Sequence, residues 1–549
     1  MDTGLAESPD DLRRAIDDEI NTLLESIDSI RASIRALKFR RNALAPISCL
    51  PPETLAEIFS FLLPPANDEA YHLEWISTCR QWHETALSHP RLWSHINFSK
   101  LPPAAMAEIP ARAKMAPLHF EADFTGWRRA HINAFQKQLE VHISHIRRLS
   151  IYKPLPSVLE RLSSSAPALE SLSLSHCTEQ VFIPFNLFNC TTPNLKNLKL
   201  QKCDFSWKSP LLRGLRTLEI LGPSSGARPE PGNWLDALDE MPQLQMLALR
   251  YATLHISPTG PPTSEPSRTV TLPSLTKFHI AASAKDCGFA LAHLVLPALT
   301  CLHVDAQSNK RDSDEVRLLV SCVSRKVYVL QDTEPLRSIL IDGKSKRAEV
   351  LAWTIPDADF KFFFDPNVMV RKSVPARLIF TVTSRHRRFG AETAILEALL
   401  THLPLNFVST LTARNSSGLG KEFWVRQAPK WPLLERASLT SAGFTDMLAE
   451  DAPPDGPRLP SLTKLILVDV KVTVDLAVEW TRDLRDMLIE RAGQGVPLEV
   501  LDSSRALRLT AKSTLLNGIV VDVKEPQREG SVGNEVEYDD AWFGEWRHI

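Results

Sequence analysis

Pro167-Ala-Leu169-Glu-Ser-Leu172-Ser-Leu174-Ser-His-Cys177 and Pro193-Asn-Leu195-Lys-Asn-Leu198-Lys-Leu200-Gln-Lys-Cys203 are two copies of one phrase. Its last two leucines alternate with polar residues, so they share one face of a short strand. The cysteine falls just past that strand, where a small apolar group fits the bend. The proline stands two residues before the first leucine, in a turn that feeds the strand and needs no N–H there.

Looser copies run along most of the chain: Ile146/Leu149/Ile151, Leu215/Leu218/Ile220, Leu244/Leu247/Leu249, Leu275/Phe278/Ile280 and Leu299/Leu302/Val304. After a gap come Leu336/Ile339/Ile341, Leu434/Ala437/Leu439 and Leu462/Leu465/Leu467, and Pro242, Pro273, Pro297, Pro432 and Pro460 keep the proline's place. The phrase resembles the strand of a leucine-rich repeat. Each unit offers one strand face that only stacked neighbours can bury. Spacing drifts between roughly 20 and 37 residues, beyond the regular range of such repeats. The fold class expected is therefore α/β: an irregular leucine-rich-repeat-like solenoid over 130–525, with helices, extra strands and loops inserted.

Two stretches, 222–233 and 257–271, are rich in Pro, Gly and Ser and read as exposed loops. Residues 343–394 are less regular, with Phe360–Phe364 and Leu378–Thr383 strand-like. An amphipathic helix is expected over 475–492, with Leu476, Trp480, Leu484, Met487 and Leu488 on one side, and a last strand over Gly518–Val523. The acidic, aromatic tail, 526–549, either caps the last repeat or serves as a short binding segment.

At the other end, 10–45 reads as one long helix. Ile20, Ile27 and Ile34 recur every seven residues, as do Ile16, Leu23, Ile30 and Leu37, which makes a heptad seam. Acidic residues gather toward its N-terminus and basic ones toward its C-terminus, as the helix dipole favours. The seam either packs within the chain or supports self-association through 16–37.

Between helix and repeats lies Ile47-Ser-Cys-Leu-Pro-Pro-Glu-Thr-Leu-Ala-Glu-Ile-Phe-Ser-Phe-Leu-Leu63, followed by Cys79-Arg-Gln-Trp82 and Pro90-Arg-Leu-Trp93. Pro51 and Pro52 suit a helix start and Pro64-Pro65 a stop. Leu55, Ile58, Phe59, Leu62 and Leu63 lie at helical spacing, and a second helix is expected with Trp75, Ile76, Cys79, Trp82 and Ala86 inward. Leu50-Pro51-x-Glu53-x-Leu55-x-x-Ile58-Phe59-x-x-Leu62, Cys79-x-x-Trp82 and Pro90-x-Leu92-Trp93, in that order, resemble an F-box over 47–98. Thr78, where an apolar residue is usual, and a long linker at 64–74 depart from that pattern. The resemblance implies a small all-α motif that docks on a Skp-type adaptor and, through it, a cullin. Leu50, Pro51, Leu55, Ile58, Phe59, Leu62, Cys79, Trp82, Leu92 and Trp93 would form or support the docking surface. The order of heptad helix, F-box and repeats resembles the large F-box families of mushroom-forming fungi.

Composition narrows the function further. Sixty-three basic and 65 acidic residues leave a net charge of −2, so no global field recruits nucleic acid or anionic membrane. No apolar run is long enough to span a bilayer, and Met1–Glu7 does not read as a signal peptide. Eight scattered cysteines favour a reduced chain, cytoplasmic or nuclear, over a disulfide or zinc framework.

Motifs that carry chemistry fail on inspection. His83 and His89 are six residues apart, not the four a metal-binding helix needs. Gly343-Lys344-Ser345 lacks the first glycine of a phosphate loop, since Ser338 stands there, and Gly493-x-Gly495 lacks a third glycine. Short basic clusters at Arg128-Arg129, Arg147-Arg148 and Arg385–Arg388 fit solvated faces. Neither a cofactor nor a metal is expected, and the chain is not expected to be an enzyme. The reading favoured is the substrate-recognition subunit of a Skp–cullin–F-box ubiquitin ligase, holding a target protein on its repeats. The alternatives are an F-box scaffold outside a ligase, or an enzyme hidden in 343–394.

Overall fold

The proline phrase closes a β-turn. In this computed structural model, the N–H of the phrase's first leucine donates to the carbonyl three residues back, at 3.1–3.4 Å. The bonds are Leu169 to Ala166, Leu195 to Thr192, Leu244 to Met241, Leu275 to Leu272, Leu299 to Leu296, Leu434 to Trp431 and Leu462 to Leu459. Each proline is thus the second residue of its turn, where its fixed φ is already correct. The structure describes residues 9–62, 74–176, 182–222, 231–250, 266–308, 314–344, 347–356, 376–384, 391–414, 419–440, 442–448, 457–468, 474–505 and 522–524. Cys177, Phe360–Phe364, the 526–549 tail and most of the 64–74 linker and of the two Pro/Gly/Ser-rich stretches lie outside the described residues.

The chain forms two compact units, one of residues 1–176 and 186–195, the other of 177–185 and 196–549. In the first, helices α1 (Pro9–Ala43), α2 (Pro52–Leu62) and α3 (Arg80–Ser88) precede strand β1 (His95–Asn97). There follow α4 (Ala105–Arg112), β2 (Leu118–Asp123), α5 (Arg129–His142), β3 (Ile146–Tyr152), α6 (Pro156–Arg161) and β4 (Ser171–Ser175). The four strands run parallel in sequence order, with Ile96 beside Phe120, Leu149 beside Leu172 and Ile151 beside Leu174. The stack therefore starts well before residue 130. β1 and β2 lack the proline phrase, although Leu118, Phe120 and Ala122 alternate inward.

The second unit opens with β5 (Asn197–Gln201), β6 (Thr217–Leu221), α7 (Pro231–Asp239), β7 (Met246–Arg250), β8 (Val270–Thr271), β9 (Lys277–Ser283), α8 (Ala284–His293), β10 (Leu294–Val295) and β11 (Cys301–Ser308). It continues through α9 (Asp314–Thr333), β12 (Ser338–Lys344), β13 (Arg347–Trp353), β14 (Leu378–Ser384), α10 (Ala391–His402), β15 (Thr410–Arg414) and α11 (Lys421–Gln427). Last come β16 (Arg436–Leu439), α12 (Ala442–Leu448), β17 (Lys464–Val468), α13 (Val474–Gly493), β18 (Val500–Arg505) and β19 (Asp522–Lys524). Parallel pairing runs β5-β6-β7-β9-β11-β14 and again β12-β15-β16-β17-β18-β19. β13 joins the runs by pairing antiparallel with both β12 and β14, while β8 and β10 form a separate short pair. The irregularity expected over 343–394 thus includes an inserted antiparallel strand.

One apolar ladder crosses both runs, from Leu198, Leu218, Leu247, Phe278 and Leu302 to Ile339, Leu411, Ala437, Leu465 and Leu501, all buried. The leucines, Ile339 and Phe278 of that ladder each contribute about 1.5–3 kcal/mol. Arg491 of α13, itself buried, donates to the carbonyls of Arg458 at 2.7 Å and Leu459 at 3.1 Å, which satisfies the turn that feeds β17. Leu484, Met487 and Leu488 of that helix are buried, and its end is set by Gly495 at φ 78°, so Gly493-x-Gly495 is a helix stop. Among the described residues no helix is long and apolar enough to cross a membrane. Cys203 is disulfide-bonded, which corrects the expectation of a wholly reduced chain. Cys49, Cys79, Cys190, Cys287, Cys301 and Cys322 keep free thiols.

Strand exits repeat as regularly as entries. Lys153, His176, Lys202 and Gly222 follow β3, β4, β5 and β6, each with φ of 48–55°. The Lys153, Lys202 and Gly222 N–H groups donate at 2.7 Å to Ser175, Leu221 and Arg250 carbonyls on the next strand. Only Gly222 adopts that conformation without Cβ strain. On the face of β7, β9 and β11 opposite the apolar ladder a different cluster is buried: Arg250 Nε donates to His279 Nδ1 at 2.9 Å, and the His279 and His303 rings stack at 3.7 Å. Burial first, then His303 and Arg250, holds the His279 imidazole well below its usual range. Burial, followed by Arg250 and Arg347, brings His303 to about 3.

Two outcomes follow from these positions. Lys202→Gly trades strain for unfolded-chain entropy and is expected to leave stability unchanged or raise it by up to about 1 kcal/mol, whereas Lys202→Val lowers it by about 1–2 kcal/mol. Urea denaturation of both variants checks this, and equal effects from Gly and Val would refute it. The histidine pair is neutral when folded but protonates near 6.5 when unfolded, so its contribution is full above that value and declines as pH falls toward 3. The urea midpoint should drop between about pH 7 and about pH 5, and drop less in His303→Gln.

Candidate functional site

The helix α2 begins where its prolines place it. Leu55 N–H donates to the Pro51 carbonyl at 3.0 Å, closing the first turn, and Pro52 supplies the first helical residue. Eleven residues make three turns, and the sequence is apolar on more than one side. Leu55, Ala56 and Phe59 are fully or nearly buried. Ile58, Phe61 and Leu62, on a different side, are 37%, 81% and 49% exposed. Spacings of three and four residues put these three on one stripe.

The buried side is held by the rest of the segment. Phe59 meets Trp82 of α3 with ring centres 5.0 Å apart. Leu92 and Trp93, on the turn Pro90–Trp93, are buried, and Trp93 Nε1 donates to the Ala86 carbonyl at 2.7 Å. The Arg112 guanidinium of α4 lies 4.7 Å over the Trp93 ring. Gln81 Nε2 donates to the Ser48 carbonyl at 3.0 Å, tying α3 to the turn before α2. The second helix is shorter than expected: residues 74–77 form a separate 3-10 turn, and Cys79, in an extended conformation at φ −155°, precedes α3.

The ten residues singled out in the sequence therefore divide. Leu55, Phe59, Leu92 and Trp93 are interior, while Leu50, Cys79 and Trp82 are half-buried. Pro51, Ile58 and Leu62 reach the surface. Phe61, the most exposed aromatic among the described residues of the segment, falls outside the Leu55/Ile58/Phe59/Leu62 pattern. Its signal was available: a large aromatic three residues after Ile58, in a helix whose opposite side already has its core. Thr78 is exposed, so a polar residue there leaves the interior intact. His83 is exposed and His89 Nδ1 faces the Thr85 carbonyl at 2.8 Å, so neither serves a shared site. Gly343 lies within β12, paired with Ala348, where a phosphate loop cannot form.

The segment is continuous with the parallel strands of its unit. Phe98 packs edge-on against Phe120 of β2 at 4.7 Å and Phe135 of α5 at 5.0 Å. His95 and His119 sit ring to ring at 4.1 Å on β1 and β2. Burial is the first cause that lowers both, with His119 at about 4.

No curated protein matches the sequence. Among solved structures, a chain of the yeast complex described as "Crystal structure of Rad7 and Elc1 complex in yeast" aligns over 91% of this chain and 97% of its own at 12% identity. Its TM-score is 0.25, a value at which the two do not superpose as whole folds. Residues 47–99, which hold α2, α3, the Trp93 turn and β1, match the model of the F-box-like family: this part of the chain is an F-box-like domain.

Proposed function

We propose that the chain is the substrate-recognition subunit of a Skp–cullin–F-box ubiquitin ligase, of the kind found in the large F-box families of mushroom-forming fungi. The observation that carries this reading is the stripe of Ile58, Phe61 and Leu62. It is apolar, solvent-facing and built on a helix whose other side is locked into a core. Water contact with such a stripe is costly, and a Skp-type adaptor's apolar groove relieves it. Because β1 belongs to the same F-box-like segment, the stripe is held rigidly to the first strands.

The chain supplies no chemistry in this reading; it works by proximity in the cytoplasm or nucleus. The adaptor links the chain to the cullin, and the polar strand face holds a target protein beside the ubiquitin carrier. Arg347, paired with Glu349 at 2.8 Å, and Asp305 are among the groups that face offers. Burial pushes both carboxyls up, so they suit a partner that brings its own donors.

Binding of the purified full-length protein to a Skp-type adaptor tests the docking surface. Ile58→Asp, Phe61→Asp and Leu62→Asp together should weaken it at least about a hundredfold while the circular dichroism spectrum stays unchanged. Phe59→Ala should instead cost about 3–5 kcal/mol of stability, because it empties the core. Adaptor binding that survives the triple substitution would sink the proposal. Recovery of the adaptor without a cullin from native cells would favour the scaffold reading.

A further inference from the structure

We propose that α1 pairs with α1 of a second copy of this chain as an antiparallel two-helix coiled coil. The helix is 35 residues long, about 52 Å. Its seam residues Ile16, Ile20, Leu23, Ile27, Ile30, Ile34 and Leu37 are each 43–62% exposed. That is a continuous aliphatic ridge in water, the arrangement that knobs-into-holes packing consumes.

Charge decides what covers it and in which direction. Residues 12–28 carry five carboxylates and two arginines, whereas residues 29–43 carry five basic groups and no acidic one. A parallel in-register pair would set acid beside acid and base beside base. Its flanking positions would oppose Glu19 to Leu24, Ser26 to Arg31 and Ser33 to Lys38, with no ion pair among them. An antiparallel pair sets each acidic half against a basic half, and it also opposes the helix dipoles.

The register chosen is the one that gives both Asp17 and Glu19 a basic group of the partner subunit. With Ile27 opposite Ile30 of the partner subunit, Leu23 meets the partner's Ile34 and Ile20 meets the partner's Leu37. Symmetry repeats each layer, so these six layers are aliphatic on both sides, and Ile16 at either end meets the stem of the partner's Arg41. At the flanks Asp17 then faces the partner's Lys38, Glu19 faces the partner's Arg40, and the Arg31 stem covers the partner's Leu24. All of these side chains are exposed in the single chain. The two Ala43 ends lie about 44 Å apart in this arrangement, so each copy keeps its own F-box-like segment separate.

Sedimentation velocity of the full-length protein, with two charge-reversed variants, tests both partner and direction. The wild type should be a dimer. Asp17→Lys with Glu19→Lys, and separately Lys38→Glu with Arg40→Glu, should each raise the dimer dissociation constant at least about tenfold. An equimolar mixture of the two variants should dimerise again, because every reversed pair regains an opposite charge only in the antiparallel register. Ile27→Asp with Ile30→Asp should give a monomer that still binds the adaptor as the wild type does. A monomeric wild type, a dimer indifferent to these substitutions, or a mixture that fails to re-form the dimer would each overturn the proposal.

Discussion

A four-residue turn with proline second governs most of this chain. The turn's carbonyl-to-N–H bond, at 3.1–3.4 Å in seven places, fixes the point at which each strand begins. That point matters because side chains in a strand alternate. A slip of one residue would send Leu198 and Leu200 into water and Asn197 and Lys199 into the interior. The proline narrows the unfolded chain's choices at the position where a slip would start. The hydrophobic residue at the head of most turns, such as Met241, Leu272, Leu296 or Trp431, is buried, so the turn is anchored as well as shaped.

Entry and exit are handled by different means. The proline turn presets the entry, whereas the exit after β3, β4, β5 and β6 uses left-handed residues, three of them not glycine. Each strained residue costs about 1 kcal/mol, an amount comparable to the bond its N–H makes to the next strand. The exit is tolerated because the entry has already set the register. One entry has further support: at Leu459, itself at φ 51°, the buried Arg491 bonds the turn carbonyls.

This division explains what could be read from the sequence. Strands with the proline phrase were legible, and so was the amphipathic character of α13. β2 and β15 were not, because their inward residues lack the phrase, and β13 was not, because an antiparallel insertion has no place in a parallel repeat. In the F-box-like segment the helix and the residue types were legible, but their roles were not. α2 is apolar on two sides, and helical spacing alone cannot say which side the core takes. Trp82 and Trp93 decide it by packing under Phe59 and Ala86, which leaves Ile58, Phe61 and Leu62 outside. Cys203 resisted for another reason, since a disulfide depends on what the fold brings alongside.

The first unit presents two apolar surfaces, and their borders set them apart. An isologous contact requires a surface to complement itself under a two-fold rotation. The α1 seam meets that requirement, because its acidic and basic halves exchange places when the helix is reversed. The α2 stripe does not: the charged residues of that helix are Glu53 and Glu57, both exposed and both acidic. Two copies of α2 face to face would gather four carboxylates around a desolvated apolar patch, at a cost the patch itself would have to overcome. A partner of different composition, apolar at the centre and basic or neutral at the rim, has no such penalty. The same physical chemistry thus separates a surface that complements its own copy from one that does not.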